Sequence, residues 1–389
     1  MKTIAVIFGS RSAEHDISIV TALSAIIKPL EATKKYKIEA VYIAKDGSWY
    51  WDEKLKDIKL YQSGAIDEFM RKAPKVQLQF DNGLTLVKSS QFAGRKAYKK
   101  IDVVFPATHG THGEDGELMG LLEMANVPYV GCDVPSSAVA MDKVLSKLQT
   151  QAYGIVSPKM KFFTKSEYSE NVEGWLKAIK TDLKMPLFVK PARLGSSIGI
   201  TRVENEKELV NAIEVALHYD EKALVEEAVA NLIEVTVPII GNDELIPASV
   251  EQPLPKDDGV FDFETKYMNQ GKGGKKMSGG KAGAQGYSKI PADISKDLYD
   301  KSLETALGVY KAVGCQGIAR IDLLIDSKAK KVYFNEINPL PGSLYNHNWR
   351  ASGWSNVDLV TRLVDLAEER WNAKQKLTTT FSTNFLKQF

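Results

Sequence analysis

Thr3-Ile-Ala-Val-Ile-Phe-Gly9-Ser10-Arg11 opens the fold. A short, largely β-branched apolar run that ends at glycine reads as a buried strand. Gly9 to Ser12 reads as a loop, and apolar residues from Ile17 to Leu30 recur at helical spacing. Ile38 to Ala44 is a second apolar run. Strand, loop, helix and strand in that order imply a parallel α/β sheet.

Downstream, residues 45–100 are mixed and polar and define no clear element. Ile101 to Pro106 reads as a strand running into a glycine-rich loop, His109-Gly-Thr-His-Gly-Glu-Asp-Gly116, and a helix over 117–125. A second unit starts near Gly131: a helix over Ser136 to Tyr153, a strand at Leu187-Phe-Val-Lys190, a loop to Gly199, a helix over Glu206 to Leu217 and a strand over Ala223 to Val229. A third begins near Asn231. In it, 269–286 is dense in Gly and Lys and nearly devoid of apolar residues, so it cannot bury a core. Lys296 to Val313 reads as a helix, 318–338 as two strands, and Asn356 to about Trp371 as a helix. The polar tail from Asn372 carries no assignable pattern, and no internal repeat is visible.

The chain has 389 residues, enough for two or three domains at about 150 each. Hydrophobic residues make up 44% and charged residues 26%, ordinary for a globular protein. A net charge of +2 gives no reason to expect nucleic acid or an anionic membrane as partner. Two distant cysteines, Cys132 and Cys315, are no disulfide framework and fit a reducing compartment. The N-terminal apolar run is too short for a signal peptide, and no uncharged apolar stretch could span a bilayer. A cytoplasmic location is expected.

Three segments carry chemistry. In Ile318-Ala-Arg-Ile-Asp-Leu-Leu-Ile325 and Val332-Tyr-Phe-Asn-Glu-Ile-Asn338, strand alternation puts Arg320 with Asp322 and Glu336 with Asn338. If Leu324 pairs with Phe334, Asp322 lies beside Glu336. Adjacent carboxylates repel unless a cation sits between them, and hard oxygen ligands suit Mg²⁺. The plainer alternative is an exposed hairpin with incidental charges. It explains poorly the rigid stop Pro339-Leu-Pro-Gly342 just after the strand. The second segment, Phe188-Val-Lys-Pro-Ala-Arg-Leu-Gly-Ser-Ser-Ile-Gly199, ends a strand on a lysine and follows it with small residues. Backbone N–H groups and hydroxyls there could approach phosphate, although a simple turn with a snorkelling lysine reads equally well. The third is Ser12-Ala-Glu14-His15, at the end where α/β sheets bind ligands. Its plain alternative is N-capping by Ser12 with Glu14 in the first turn. His109 and His112 could ligate metal, or form a hydrogen-bonding pair. The segment 269–286 could be a linker or a lid.

Together these segments, with Ala140-Met-Asp-Lys143, Leu224-Val-Glu-Glu227 and Gly317-Ile-Ala-Arg-Ile-Asp322, resemble the D-alanine–D-alanine ligase family of the ATP-grasp superfamily. The resemblance runs from Ile4 to about Glu369. It implies an α/β, three-domain ATP-grasp fold with an N-terminal Rossmann-like parallel sheet: 1–132, 133–229 and 230–389, with a mobile lid at about 265–288. It implies that ATP phosphorylates one D-alanine and that the amine of a second attacks the acyl phosphate. Lys143 and Lys190 would hold phosphates, with Ser197 in the small-residue loop. Glu226, Glu227 and the adjoining backbone would meet adenine, and Glu234 the ribose. Asp322, Glu336 and Asn338 would ligate two Mg²⁺, with Mn²⁺ an alternative. Glu14 would take the first substrate's ammonium, with Ser196 and Tyr267 linked to it and His109 nearby. Lys266 would belong to the lid. Arg320 and the backbone of Gly342 would stabilise the oxyanion.

The chain departs from the family pattern in its long Lys/Gly-rich lid and beyond Asn338. There either Ser343, or His347 by simple counting, would orient the second substrate. Lys266-Tyr267 leans towards a peptide rather than an ester product. D-alanine, ATP and a homodimer partner are therefore expected. A related ligase joining other amino or hydroxy acids is the competing reading, and a regulator that lost turnover is a third.

Overall fold

The computed structural model describes residues 1–81, 83–89, 96–254 and 288–389. The opening run forms β1, Lys2–Gly9. It lies between parallel neighbours, so seven of its eight residues are buried, which accounts for its unbroken apolar character. Its partners are β2 (Tyr36–Ile43), which carries β3 (Trp49–Trp51), and on the other side a strand described below. Gly9 has φ +95°, and a Cβ there would come within 2.1 Å of the Ile43 carbonyl oxygen, so only glycine turns the chain here. One helical run from His15 to Ala32 follows, with a π-helical stretch at Thr21–Ile27 in its middle.

The unassigned region 45–100 holds short helices and an antiparallel sheet of β4 (Val76–Phe80), β5 (Leu84–Ser89) and β6 (Lys96–Ile101). The expected strand over 101–106 divides at Asp102. Ile101 ends β6, and β7 (Val103–Pro106) joins β1 in parallel. Asp102 makes the crossing. Its N–H donates to Thr3 O (2.9 Å), and its carboxylate accepts from the Thr3 N–H (2.8 Å).

The helix expected over 136–153 is also two, Val134–Met141 and Lys143–Ala152. Asp142 breaks it by leaving helical geometry and capping the N–H groups of Val144 (2.9 Å) and Leu145 (3.0 Å). Next come β8 (Met160–Thr164), β9 (Leu187–Pro191), β10 (Thr201–Val203) and β11 (Lys222–Glu227), in the order β10-β9-β11-β8. A third sheet is built from β12 (Leu232–Gly241), β13 (Leu245–Pro247), and, across a two-stranded ribbon of β14 (Gln252–Pro253) and β15 (Ser288–Lys289), β16 (Gly317–Asp326) and β17 (Lys331–Asn338). Its order is β13-β12-β16-β17. Helix Lys296–Val313 buries Val309, Tyr310 and Val313 against it.

The C-terminal helix, Asn356–Gln375, returns to the first core. Its Leu359, Leu363 and Leu366 pack in one cluster with Ile4, Val6 and Phe8. The helices at 134–152 send Ala140 into the core of the third sheet. The cores therefore cross the linear divisions at 132 and 229. Among the described residues no helix is long and apolar enough to cross a membrane.

Candidate active site

The site grows from the β16–β17 pairing. Arg320 faces Asn338 and Asp322 faces Glu336. The expected neighbour pairing is corrected by one position: Phe334 lies opposite Leu323, and Leu324 opposite Tyr333. An irregularity after Asp322 absorbs the extra residue, Asn335, and so keeps the two carboxylates side by side. Arg320 grips Asp322 through Nε (2.8 Å) and Nη2 (2.6 Å), and Asn338 Nδ2 adds a longer contact of 3.3 Å. Lys143 Nζ lies 3.3 Å from Glu336. Two carboxylates and an amide oxygen on adjacent strands make a hard-oxygen set that fits Mg²⁺ or Mn²⁺.

Next to this row lies a buried charge cluster. Lys190 Nζ donates to Glu226 and to Asn335 Oδ1 (3.2 Å). Lys147 Nζ pairs with the other Glu226 oxygen at 3.1 Å and donates to Phe334 O at 3.2 Å. Burial pushes the Glu226 carboxyl up, but Lys147 and Lys190 outweigh it and pull it down to about 2. Its side chain is thus committed to two lysines. Glu227 accepts from the Lys184 N–H (3.0 Å), and Glu234 sits on β12 opposite Leu324. Lys143 Nζ donates to Leu194 O at 2.7 Å, at the start of the small-residue loop. Ser196 and Ser197 in that loop are both left-handed, with φ of 55° and 59°.

Across the cleft, Glu14 precedes the first helix. Ser12 is not its N-cap: the Ser12 hydroxyl accepts from the Glu14 N–H (3.1 Å), and Glu14 occupies the cap position. The Ser196 hydroxyl donates to Glu14 Oε1. A Cβ at Gly110 or Gly195 would lie 3.0 or 3.1 Å from Glu14 Oε2, so both glycines let the backbone approach the carboxylate. His15 is buried and faces away. Its Nδ1 meets Ser10 O (2.6 Å) and its Nε2 the Tyr42 hydroxyl (3.0 Å), and burial lowers its basicity.

His109 and His112 do not pair with each other. His112 Nδ1 takes Glu117, while His109 Nδ1 takes Glu114 (2.7 Å). Burial pulls the His109 imidazole down, but the hydrogen bond and charge of Glu114 raise it overall. His109 Nε2 lies 2.9 Å from Thr21 Oγ1, which also accepts the Ser343 N–H at 2.9 Å. Gly342 opens a tight turn in which Ser343, Leu344 and Tyr345 are all left-handed. The turn buries Leu344 in the N-terminal core and lays the Tyr345 ring 5.0 Å from the Arg320 guanidinium. His347 Nε2 lies 3.0 and 2.9 Å from the two oxygens of buried Glu251. Lys266, Tyr267 and the segment 269–286 lie outside the described residues.

The D-ala D-ala ligase N-terminus family matches residues 3–132, and the D-ala D-ala ligase C-terminus family matches residues 149–365. This chain belongs to the D-alanine–D-alanine ligase family. A D-alanine–D-alanine ligase of Chloroherpeton thalassium is 37% identical over 96% of this chain and 98% of its own length. One from Acetivibrio thermocellus is 36% identical over the same shares. Among solved structures, the VanG D-Ala:D-Ser ligase of Enterococcus faecalis superposes with a TM-score of 0.75 at 31% identity, covering 94% of this chain and 99% of that one. The Coxiella burnetii D-alanine–D-alanine ligase superposes equally well at 28% identity, covering 96% of each chain. The fold is therefore that of the D-Ala–D-Ala ligases, and membership implies the use of ATP and a divalent metal.

For a ligase of this family, three residues escaped the sequence reading. Lys147 could have been found: it lies one helical turn beyond Lys143 and so on the same face. Thr21 and Glu251 had no local signal, because their partners are brought to them from 88 and 96 residues away.

Proposed function

We propose that this ligase joins two D-alanine molecules in an ADP-forming reaction that supplies a peptidoglycan precursor. One observation carries the reading. The small-residue loop meets Glu14 through Ser196 and Lys143 through Leu194, and Lys143 in turn meets Glu336 beside Asp322, so charges complementary to an amino acid and to a nucleotide triphosphate are linked through one loop.

Glu14 holds the first substrate's ammonium, with His109 beside it and Tyr267 in support. The substrate carboxylate then attacks the γ-phosphorus, and ADP leaves. Lys143, Lys190 and the Ser197 loop neutralise the phosphates. The strand at Glu226 and Glu227 receives the base, Glu234 the ribose, and Lys266 is assigned to the nucleotide. Asp322, Glu336 and Asn338 would hold two Mg²⁺ ions, which would supply charge neutralisation of the transferring phosphoryl group. The second amine attacks the acyl carbon, and Arg320 with the Gly342 N–H holds the oxyanion. Phosphate leaves as the carbonyl reforms. Ser343 and His347 flank the place of the second substrate. The cleft lies between the N-terminal unit, 1–132, and the two ATP-grasp units, 133–229 and 230–389, in a homodimeric cytoplasmic enzyme without nucleic-acid or membrane partners.

The test supplies ATP, Mg²⁺ and, one at a time or in pairs, D-alanine, D-lactate, D-serine and L-amino acids. Phosphate and D-alanyl-D-alanine from D-alanine alone are expected. No phosphate from D-alanine alone overturns the reading, and product only with a second, different acid favours the alternative ligase.

A further inference from the structure

The site row has a member beyond the metal carboxylates. Glu251 and Thr236 exchange two backbone hydrogen bonds (2.9 and 3.0 Å), Thr236 pairs with Asp322, and Asp322 with Glu336. Residues paired across neighbouring strands share a face. Glu251, Thr236, Asp322 and Glu336 therefore form one rung, with three carboxylates in it. Each carboxylate has its own partner: His347 on Glu251, Arg320 on Asp322 and Lys143 on Glu336. The Tyr345 ring bridges two of these partners, with its centroid 4.5 Å from that of His347 and 5.0 Å from the Arg320 guanidinium carbon.

The Glu251 carboxylate is 2% exposed and also accepts from Asn348 Nδ2 at 3.0 Å. An ionised carboxylate offers only lone pairs, so His347 Nε2 must carry the proton that joins them. The other ring nitrogen, Nδ1, is then a lone-pair acceptor in the neutral ring. A buried carboxylate that fixes an imidazole in this tautomer is the arrangement of a general base.

We propose that His347 takes the proton from the attacking ammonium group of the second amino acid, and that Glu251 is the positioning residue that sets the tautomer. An N–H proton moves to His347 Nδ1. The freed nitrogen lone pair forms the C–N bond to the acyl carbon, the C–O bond to phosphate breaks, and phosphate leaves with the bonding pair and takes the second N–H proton, leaving the amide. This assignment rests on the ligase reading above.

Hydroxylamine separates the two. It is an uncharged amine at neutral pH, attacks an acyl phosphate without a base, and gives a hydroxamate. The measurement is the ratio of dipeptide to D-alanine hydroxamate with ATP, Mg²⁺ and D-alanine. The ratio should fall about a hundredfold in His347→Gln and about tenfold in Glu251→Gln, with recovery in Glu251→Asp. An unchanged ratio, or equal loss of both products, overturns the base assignment while leaving the ligase reading intact. Wild-type protein that forms neither product overturns the ligase reading, and the assignment with it.

Discussion

Two charged clusters meet at the cleft, and they differ in exposure. Lys147, Glu226 and Lys190 are nearly sealed, with side chains 0%, 1% and 8% exposed. Asp322 and Glu336 are 19% and 24% exposed. The sealed cluster sets one carboxylate between two lysines, because a lone charge there would be costly. The open row is neutralised by Arg320 and by Lys143, and under the proposed function an arriving cation and phosphates would take over those charges. Lys147 and Glu226 form the fixed end of one cluster, with Lys190 between them and the proposed phosphates, and the other cluster is where the proposed function exchanges ligand charge.

The contrast can be broken from either side. Glu226→Leu strands two buried ammonium groups and should cost about 3–5 kcal/mol in chemical unfolding. Full stability in that variant would mean that the sealed cluster is not a fixture. Glu336→Gln should leave unfolding nearly unchanged and reduce phosphate release by about 10²–10³-fold. If its unfolding midpoint falls as far as that of Glu226→Leu, the distinction between the clusters is lost.

Thr21→Val removes the acceptor for the Ser343 N–H and should cost about 1–3 kcal/mol. Thr21→Ser should restore it, as read from unfolding and turnover together.

Acid sharpens the same comparison. The Glu226 pKa is depressed from 4.5 to about 2 in the folded state. Its contribution is thus complete above 4.5 and is lost as pH falls through that value towards about 2. The stability difference between wild type and Glu226→Gln should shrink across this window. A difference that stays constant contradicts the depression.

Much of this was readable beforehand, for physical reasons. Strand alternation brought Arg320 to Asp322 and Glu336 to Asn338, because a period of two is local. The run at Thr3–Phe8 announced a strand buried on both faces. What could not be read depended on distant partners. Nothing near Asp142 signals that the helix must break to aim Lys143 at Leu194, and nothing near Asn335 signals an extra residue in β17. The division at Asp102 follows from its bonds to Thr3, 99 residues earlier. The sequence offered Glu226 as a candidate site residue, but its burial between Lys147 and Lys190 required two sheets and a helix to be placed first.

Under the proposed function, the open row drives D-alanine-dependent use of ATP. Its most direct test measures ADP and D-alanyl-D-alanine together, with D-alanine as the only amino acid and Mg²⁺ saturating, in wild type and Glu336→Gln. Equal amounts of ADP and dipeptide are expected from the wild type, and almost none of either from the variant. ADP formed equally well without D-alanine, or a variant as active as the wild type, would contradict it.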